Sequence, residues 1–158
     1  MNIKLIDQKT LDATIQRARQ SIRKRAHFNF HATYEDRINR FLNAMEPDTY
    51  VRPHKHETPD KREVFIILSG SVAVITFDNE GRVTGSIRLG GTTGNYGIEI
   101  PEKTWHTLVT LETGTVIYEI KDGPYVPLSD KNFAPWSPME GDPASVVYLE
   151  TLAHECQH

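Results

Sequence analysis

At 158 residues, with 38% hydrophobic and 25% charged residues, the chain has single-domain size and enough apolar mass for one core without disulfide staples. Its net charge of −3 argues against a general nucleic-acid binder, and no apolar run reaches the roughly 20 residues that cross a bilayer. The opening MNIKLIDQKTLDATI lacks a signal-peptide pattern and Cys156 is the only cysteine, so no internal disulfide forms and the expected setting is the cytoplasm.

Taken in chain order, Thr10 to about Arg23 reads as a helix capped by Thr10, with Leu11, Ile15, Ala18 and Ile22 at helical spacing. Strict alternation follows: Arg23, Arg25, His27, Asn29 and His31 oppose Ala26, Phe28 and Phe30, a strand with one polar face. A second helix is predicted from Thr33 to Pro47, its stripe formed by Ile38, Phe41, Leu42 and Met45. From Thr49 onward short strands are predicted at Tyr50–Pro53, Glu63–Leu68, Ser71–Phe77, Arg82–Leu89, Gly97–Ile100, Trp105–Leu111 and Thr115–Lys121. Turn chemistry separates them, which argues for an antiparallel sandwich or barrel. Asp122 to Pro138 reads as an irregular arm, and Asp142-Pro143 starts a last helix carrying Val146, Val147, Tyr148, Leu149 and Leu152.

Seven histidines are unusual for this length. His54 and His56 stand two apart on an extended segment, so both imidazoles face one side. Taken alone, such a pair also reads as two polar strand residues. Glu63 opens the next strand, however, and His106 follows a proline turn into another. A carboxylate among Phe65, Ile67 and Leu108 needs compensation that a cation supplies. Three imidazoles and one carboxylate suit one divalent transition metal (Mn, Fe, Co, Ni or Zn), and this mixed set leaves room for water or substrate.

His54-Lys55-His56, Glu63 and Gly70 resemble the first cupin motif, and Gly97, Pro101 and His106 resemble the second. The His56–Glu63 gap is longer than the motif's, Lys103 replaces a glycine, and Gly97 stands closer to Pro101. Across most of the chain, the run Arg23–His31, the block Leu42–His54, and the stretch from Gly123-Pro124-Tyr125 to Ala134-Pro135-Trp136 resemble the WbuC family of cupin-fold metalloproteins. That resemblance implies a mainly β cupin barrel, a metal and a bacterial surface-polysaccharide (O-antigen) setting, without implying a reaction. The expected organisation is one domain over residues 1–158. It comprises a helical and strand extension over 1–47, the barrel over 48–121, and an arm with a C-terminal helix over 122–158.

His31 and Glu119 are the candidate proton-transfer groups, with Glu119 or Tyr118 expected to face the pocket. Arg23, Arg25, His27, Asn29 and Tyr125 are candidate substrate contacts, since arginine forks match carboxylates and phosphates. Trp105 is expected to point into packing, Trp136 to pin the arm, and His154 and His158 to lie on an exposed tail. Three functions fit these residues: a metal-dependent isomerase, epimerase or lyase acting on a sugar or nucleotide-sugar, an Fe(II)-dependent oxygenase, or a non-catalytic sugar-binding module. The expected partner is a small molecule, with no nucleic acid and no membrane, and a homodimer is compatible with the fold.

Overall fold

The computed structural model describes residues 3–127 and 131–156. The first helix, α1 (Gln8–Gln20), starts earlier than the apolar spacing indicates because Asp7, not Thr10, caps it. The Asp7 carboxylate accepts the Thr10 N–H at 2.9 Å. Leu11 and Ala18 are buried with Ile15 packed beside them, but the helix ends before Ile22, which is fully exposed.

The strands are β1 (Arg25–Asn29), β2 (Ile38–Met45), β3 (His54–Lys55), β4 (Glu63–Ser69), β5 (Ser71–Phe77), β6 (Val83–Gly90), β7 (Gly97–Ile100), β8 (Trp105–Thr110), β9 (Thr115–Asp122) and β10 (Asn132–Phe133). They form two five-stranded sheets, ordered β1-β2-β9-β4-β7 and β10-β3-β8-β5-β6, with antiparallel pairing at each hydrogen-bonded neighbour. The last helix, α2 (Pro143–Glu155), begins as its Asp-Pro signal indicates, with Asp142 accepting from the Ala144 N–H at 2.8 Å.

The helix expected over Thr33–Pro47 is a strand instead. Positions 38, 41, 42 and 45 fit helical spacing, yet β2 lies between β1 and β9, and both of its faces are covered. Leu42 and Ala44 pack under α1 while Asn39, Phe41 and Asn43 point into the barrel. Burial on both faces erases the alternation by which a strand is recognised. The fold therefore has one N-terminal helix, not two. The strand expected at Tyr50–Pro53 is likewise displaced: pairing occurs at His54–Lys55, against β8 and the unforeseen β10.

The core between the sheets holds Met45, Phe65, Val72, Val74, Leu89, Leu108 and Ile117. The first helix seals the outer face of the first sheet, and α2 seals the second through Leu152 and Cys156 against Ala73, Ile75, Phe77 and Val109. Val146 and Val147 are exposed on α2. At the β4–β5 corner Gly70 has φ +72°, and a Cβ there would lie 2.8 Å from Thr115 Cα. Only glycine fits this position. With one end of the barrel filled by this core, the other stays open as a cavity.

Candidate metal centre and its cavity

The four expected ligands meet. Ligand atoms of His54, His56, Glu63 and His106 all lie within 4.8 Å of one another, and all four side chains are buried. Strand pairing dictates this convergence: His54 on β3 stands opposite His106 on β8, and Glu63 opens β4 between Ile100 and Lys121. Glu63 Oε1 is 3.1 Å from His56 Nε2, and Oε2 is 2.9 Å from His106 Nε2. The longer His56–Glu63 gap is absorbed by a tethered loop. Lys103, with φ +63°, donates its N–H to His56 O at 3.0 Å and pairs with Asp60 at 3.2 Å. Lysine in the glycine position thus holds the loop that carries a ligand.

Backbone carbonyls set the tautomers. His54 Nδ1 faces Arg52 O at 2.9 Å and His106 Nδ1 faces Thr104 O at 2.8 Å. A carbonyl only accepts, so each Nδ1 carries the proton and each Nε2 presents its lone pair to the cluster. Despite their closeness, Glu63 Oε2 and His106 Nε2 make no hydrogen bond of acceptable geometry among the described residues. Two acceptors aimed at one buried point call for a cation, and the N/O donor set fits a divalent transition metal. Burial, with Lys131 and His106 nearby, holds His54 neutral well below the usual histidine range.

A cavity of about 290 Å³ opens above this cluster. The polar face of the β1 arm (Arg23, Arg25, His27, Asn29 and His31) lines it, joined by Tyr125. Glu119, rather than Tyr118, faces inward. The arginines, however, are already engaged. Arg23 grips Glu140 at 2.6 and 3.0 Å, and Arg25 reaches the same carboxylate at 2.9 Å while also donating to Tyr50 O at 3.0 Å. His31 is held through Nδ1 against the Arg40 backbone, 3.0 Å from its N–H nitrogen and 3.1 Å from its carbonyl oxygen. Burial, reinforced by Lys131 and the arginines, pushes His27 down to about 3. Burial and the neighbouring Glu63 raise Glu119 to about 8, against the pull of Lys121 and Lys131.

Several cavity residues escape the sequence reading. Asn39 and Asn43 were hidden by the helical assignment of β2, whose inward positions 39, 41 and 43 alternate once it is a strand. Tyr34, its ring 5.1 Å from Tyr125, and Phe133, paired opposite His54, flank the opening. Lys131, on the arm, also lines the wall. Trp105 packs away from the ligands, 6.1 Å from Trp136, and Trp136 pins the arm against Phe77 at 5.0 Å. His154 is exposed on α2, outside the cavity lining, and His158 lies outside the described residues.

A two-sheet jelly-roll barrel around a buried three-histidine, one-glutamate cluster is a cupin fold with a candidate metal centre. The chain belongs to the family described as "Domain of unknown function (DUF6016)", whose model matches residues 6–89. No curated protein matches it. Among solved structures, protein SO0799 from Shewanella oneidensis shares 10% identity over 92% of this chain and 94% of its own, with a TM-score of 0.58. The capsular polysaccharide assembling protein CapF from Staphylococcus aureus shares 20% identity over 68% of this chain, with a TM-score of 0.53. Oxalate decarboxylase from Bacillus subtilis shares 17% identity over 69%, with a TM-score of 0.52. The chain spans only 29% of CapF and 27% of the decarboxylase. At these identities the likeness is one of fold. Among the described residues no helix is long and apolar enough to cross a membrane.

Proposed function

We propose that this chain is a metal-dependent cupin that acts on a small sugar-like molecule, with one divalent transition metal held by His54, His56, Glu63 and His106. The observation that carries this reading is the position of the ligand cluster against a cavity lined by charged, polar and aromatic side chains, where a bound molecule and a cation share one space. When bound, such a metal supplies Lewis acidity toward a carbonyl or hydroxyl oxygen.

The chain's own residues do the rest. Glu119, inward on β9 and accepting from Asn43 Nδ2 at 3.4 Å, is the carboxyl placed to hold or move a proton at the bound molecule. His31 lines the same cavity, and Tyr34 with Tyr125 presents aromatic faces at the opening. Arg23 and Arg25, held by Glu140, keep the arm in place and make the entrance basic. The residue runs that resemble the WbuC family, and the fold shared with a capsular polysaccharide assembling protein, support a setting in surface-polysaccharide metabolism. Isomerase, epimerase or lyase chemistry fits a site with one proton-handling carboxyl beside a Lewis acid.

The test is proton NMR in D2O of the metal-loaded protein with a panel of sugars, sugar acids and nucleotide-sugars. The expected result is metal-dependent incorporation of deuterium at a carbon beside a carbonyl, abolished in Glu119→Gln. Oxygen uptake confined to the Fe(II)-loaded protein would identify an oxygenase instead. Binding without exchange, product or oxygen uptake would make the chain a sugar-binding module.

A further inference from the structure

We infer that the cavity wall beside the metal cluster is a subsite for a polyhydroxylated anion of monosaccharide size, a sugar acid rather than a neutral sugar or a bare dicarboxylate. The inference deepens the metal-site reading above and rests on it. It begins with two amides. Asn39 is 2% exposed, lines the cavity, and makes no hydrogen bond with either Oδ1 or Nδ2 among the described residues. Asn43, two residues along the same inward face of β2, spends its Nδ2 on Glu119 but leaves Oδ1 unpartnered. Buried amides left without partners are rare in native proteins, and a strand face needs none. Because both Asn39 atoms are unpaired, the conclusion does not depend on which way its amide is turned.

The unmet groups specify their partner. Two amide oxygens need donors and one amide nitrogen needs an acceptor. A fully ionised dicarboxylate has no donor to give, and hydrocarbon has neither, whereas a hydroxyl provides both. Two such groups on one strand face stand about 7 Å apart, which suits several hydroxyls on one short chain or ring.

Charge supplies the second half. Four basic side chains line the cavity, Arg23, Arg25, Lys121 and Lys131, against the carboxylates Glu63 and Glu119. Glu140 engages the arginines from outside the cavity lining. The wall also carries Lys131 and Lys121, the latter 3.9 Å from Glu63 Oε1 and over the Tyr125 ring, and a cation held by Glu63 and three imidazoles leaves that wall net positive. The ligand that balances it carries negative charge. The two halves also adjoin. Asn39 pairs across β2–β9 with Lys121, and Lys121 pairs across β9–β4 with Glu63. One cross-strand row thus runs from amide to lysine to metal ligand over about 10 Å, two strand spacings. The cavity of about 290 Å³ lies at the small end of ligand pockets, a size that a single sugar unit fills. The lysine point charges meet the anionic group, the arginine forks being already occupied, and a carboxylate enlarges a sugar unit less than a phosphate ester does.

The test is titration calorimetry of the metal-loaded protein with gluconate, glucuronate, glucose, glucose 6-phosphate and oxalate. It is repeated on Asn39→Leu, Asn43→Leu and Lys131→Met, with folding checked by circular dichroism. The sugar acids are expected to bind at least tenfold more tightly than glucose, oxalate or the phosphate ester. Either asparagine variant loses tenfold or more for the acids while binding oxalate as before, and Lys131→Met loses the preference for acid over glucose. Oxalate or glucose 6-phosphate binding as tightly as gluconate, or unchanged gluconate affinity in both asparagine variants, overturns the subsite. Metal content of the same samples separates the two readings. Bound metal with no ligand preference defeats the subsite alone, whereas no metal at any loading defeats the centre and the subsite together.

Discussion

Replacing Asn39 by leucine should make the protein more stable, an unusual outcome for a buried polar residue in a central strand. Asn39 has two amide atoms without partners at 2% exposure, and leaving a buried polar group unpaired costs about 1–3 kcal/mol. Leucine is similar in size and suits an inward strand position beside Phe41. Its methyl groups remove that penalty without opening a void. Allowing for imperfect packing, the gain is about 1–2 kcal/mol. At roughly 2–4 °C per kcal/mol for a chain of this size, the melting temperature should rise by about 2–8 °C. Scanning calorimetry in the presence of chelator isolates the effect from metal binding. A fall of several degrees would show that native partners satisfy the amide, which would then be structural rather than held ready for a ligand.

Glu140 is held down to about 2 by its bonds to Arg23 and Arg25, which outweigh the opposing effect of burial. A depressed carboxylate stabilises the fold above its unfolded value near 4.5 and loses that contribution as pH falls toward 2. Denaturation series should therefore show Glu140→Gln less stable than the parent at neutral pH and converging with it near pH 2. Parallel pH profiles would contradict the assigned pairing. At Gly70, alanine meets left-handed strain of about 1–2 kcal/mol plus the Thr115 backbone. Gly70→Ala should lower the melting temperature by at least about 4 °C, and an unchanged value would refute the corner geometry.

The barrel was legible where strands have one wet face or clear turns. Ser71–Phe77 and Gly97–Ile100 coincide with their expected bounds, and the arm from Arg23 to His31 shows its polar face openly because β1 is an edge strand. The convergence of the four-residue cluster was legible because His54 and His56 stand at strand spacing and His106 keeps its distance from Pro101. What stayed hidden was buried on both sides. The second strand has Leu42 under a helix and Phe41 in the cavity, so its spacing mimics a helix and conceals Asn39 and Asn43. Long-range pairing is equally silent in sequence. Nothing near Arg25 announces Glu140, and nothing in the lengthened loop announces that Lys103 fastens it to His56.

The decisive measurement is elemental analysis of protein purified without chelator or affinity tag, made in parallel on His54→Ala, His106→Ala and Glu63→Ala. About one equivalent of a divalent transition metal per chain is expected in the parent, with most of it lost from each variant. A parent that takes up no metal under any loading, or variants that keep a full equivalent, would contradict a centre built from these four side chains.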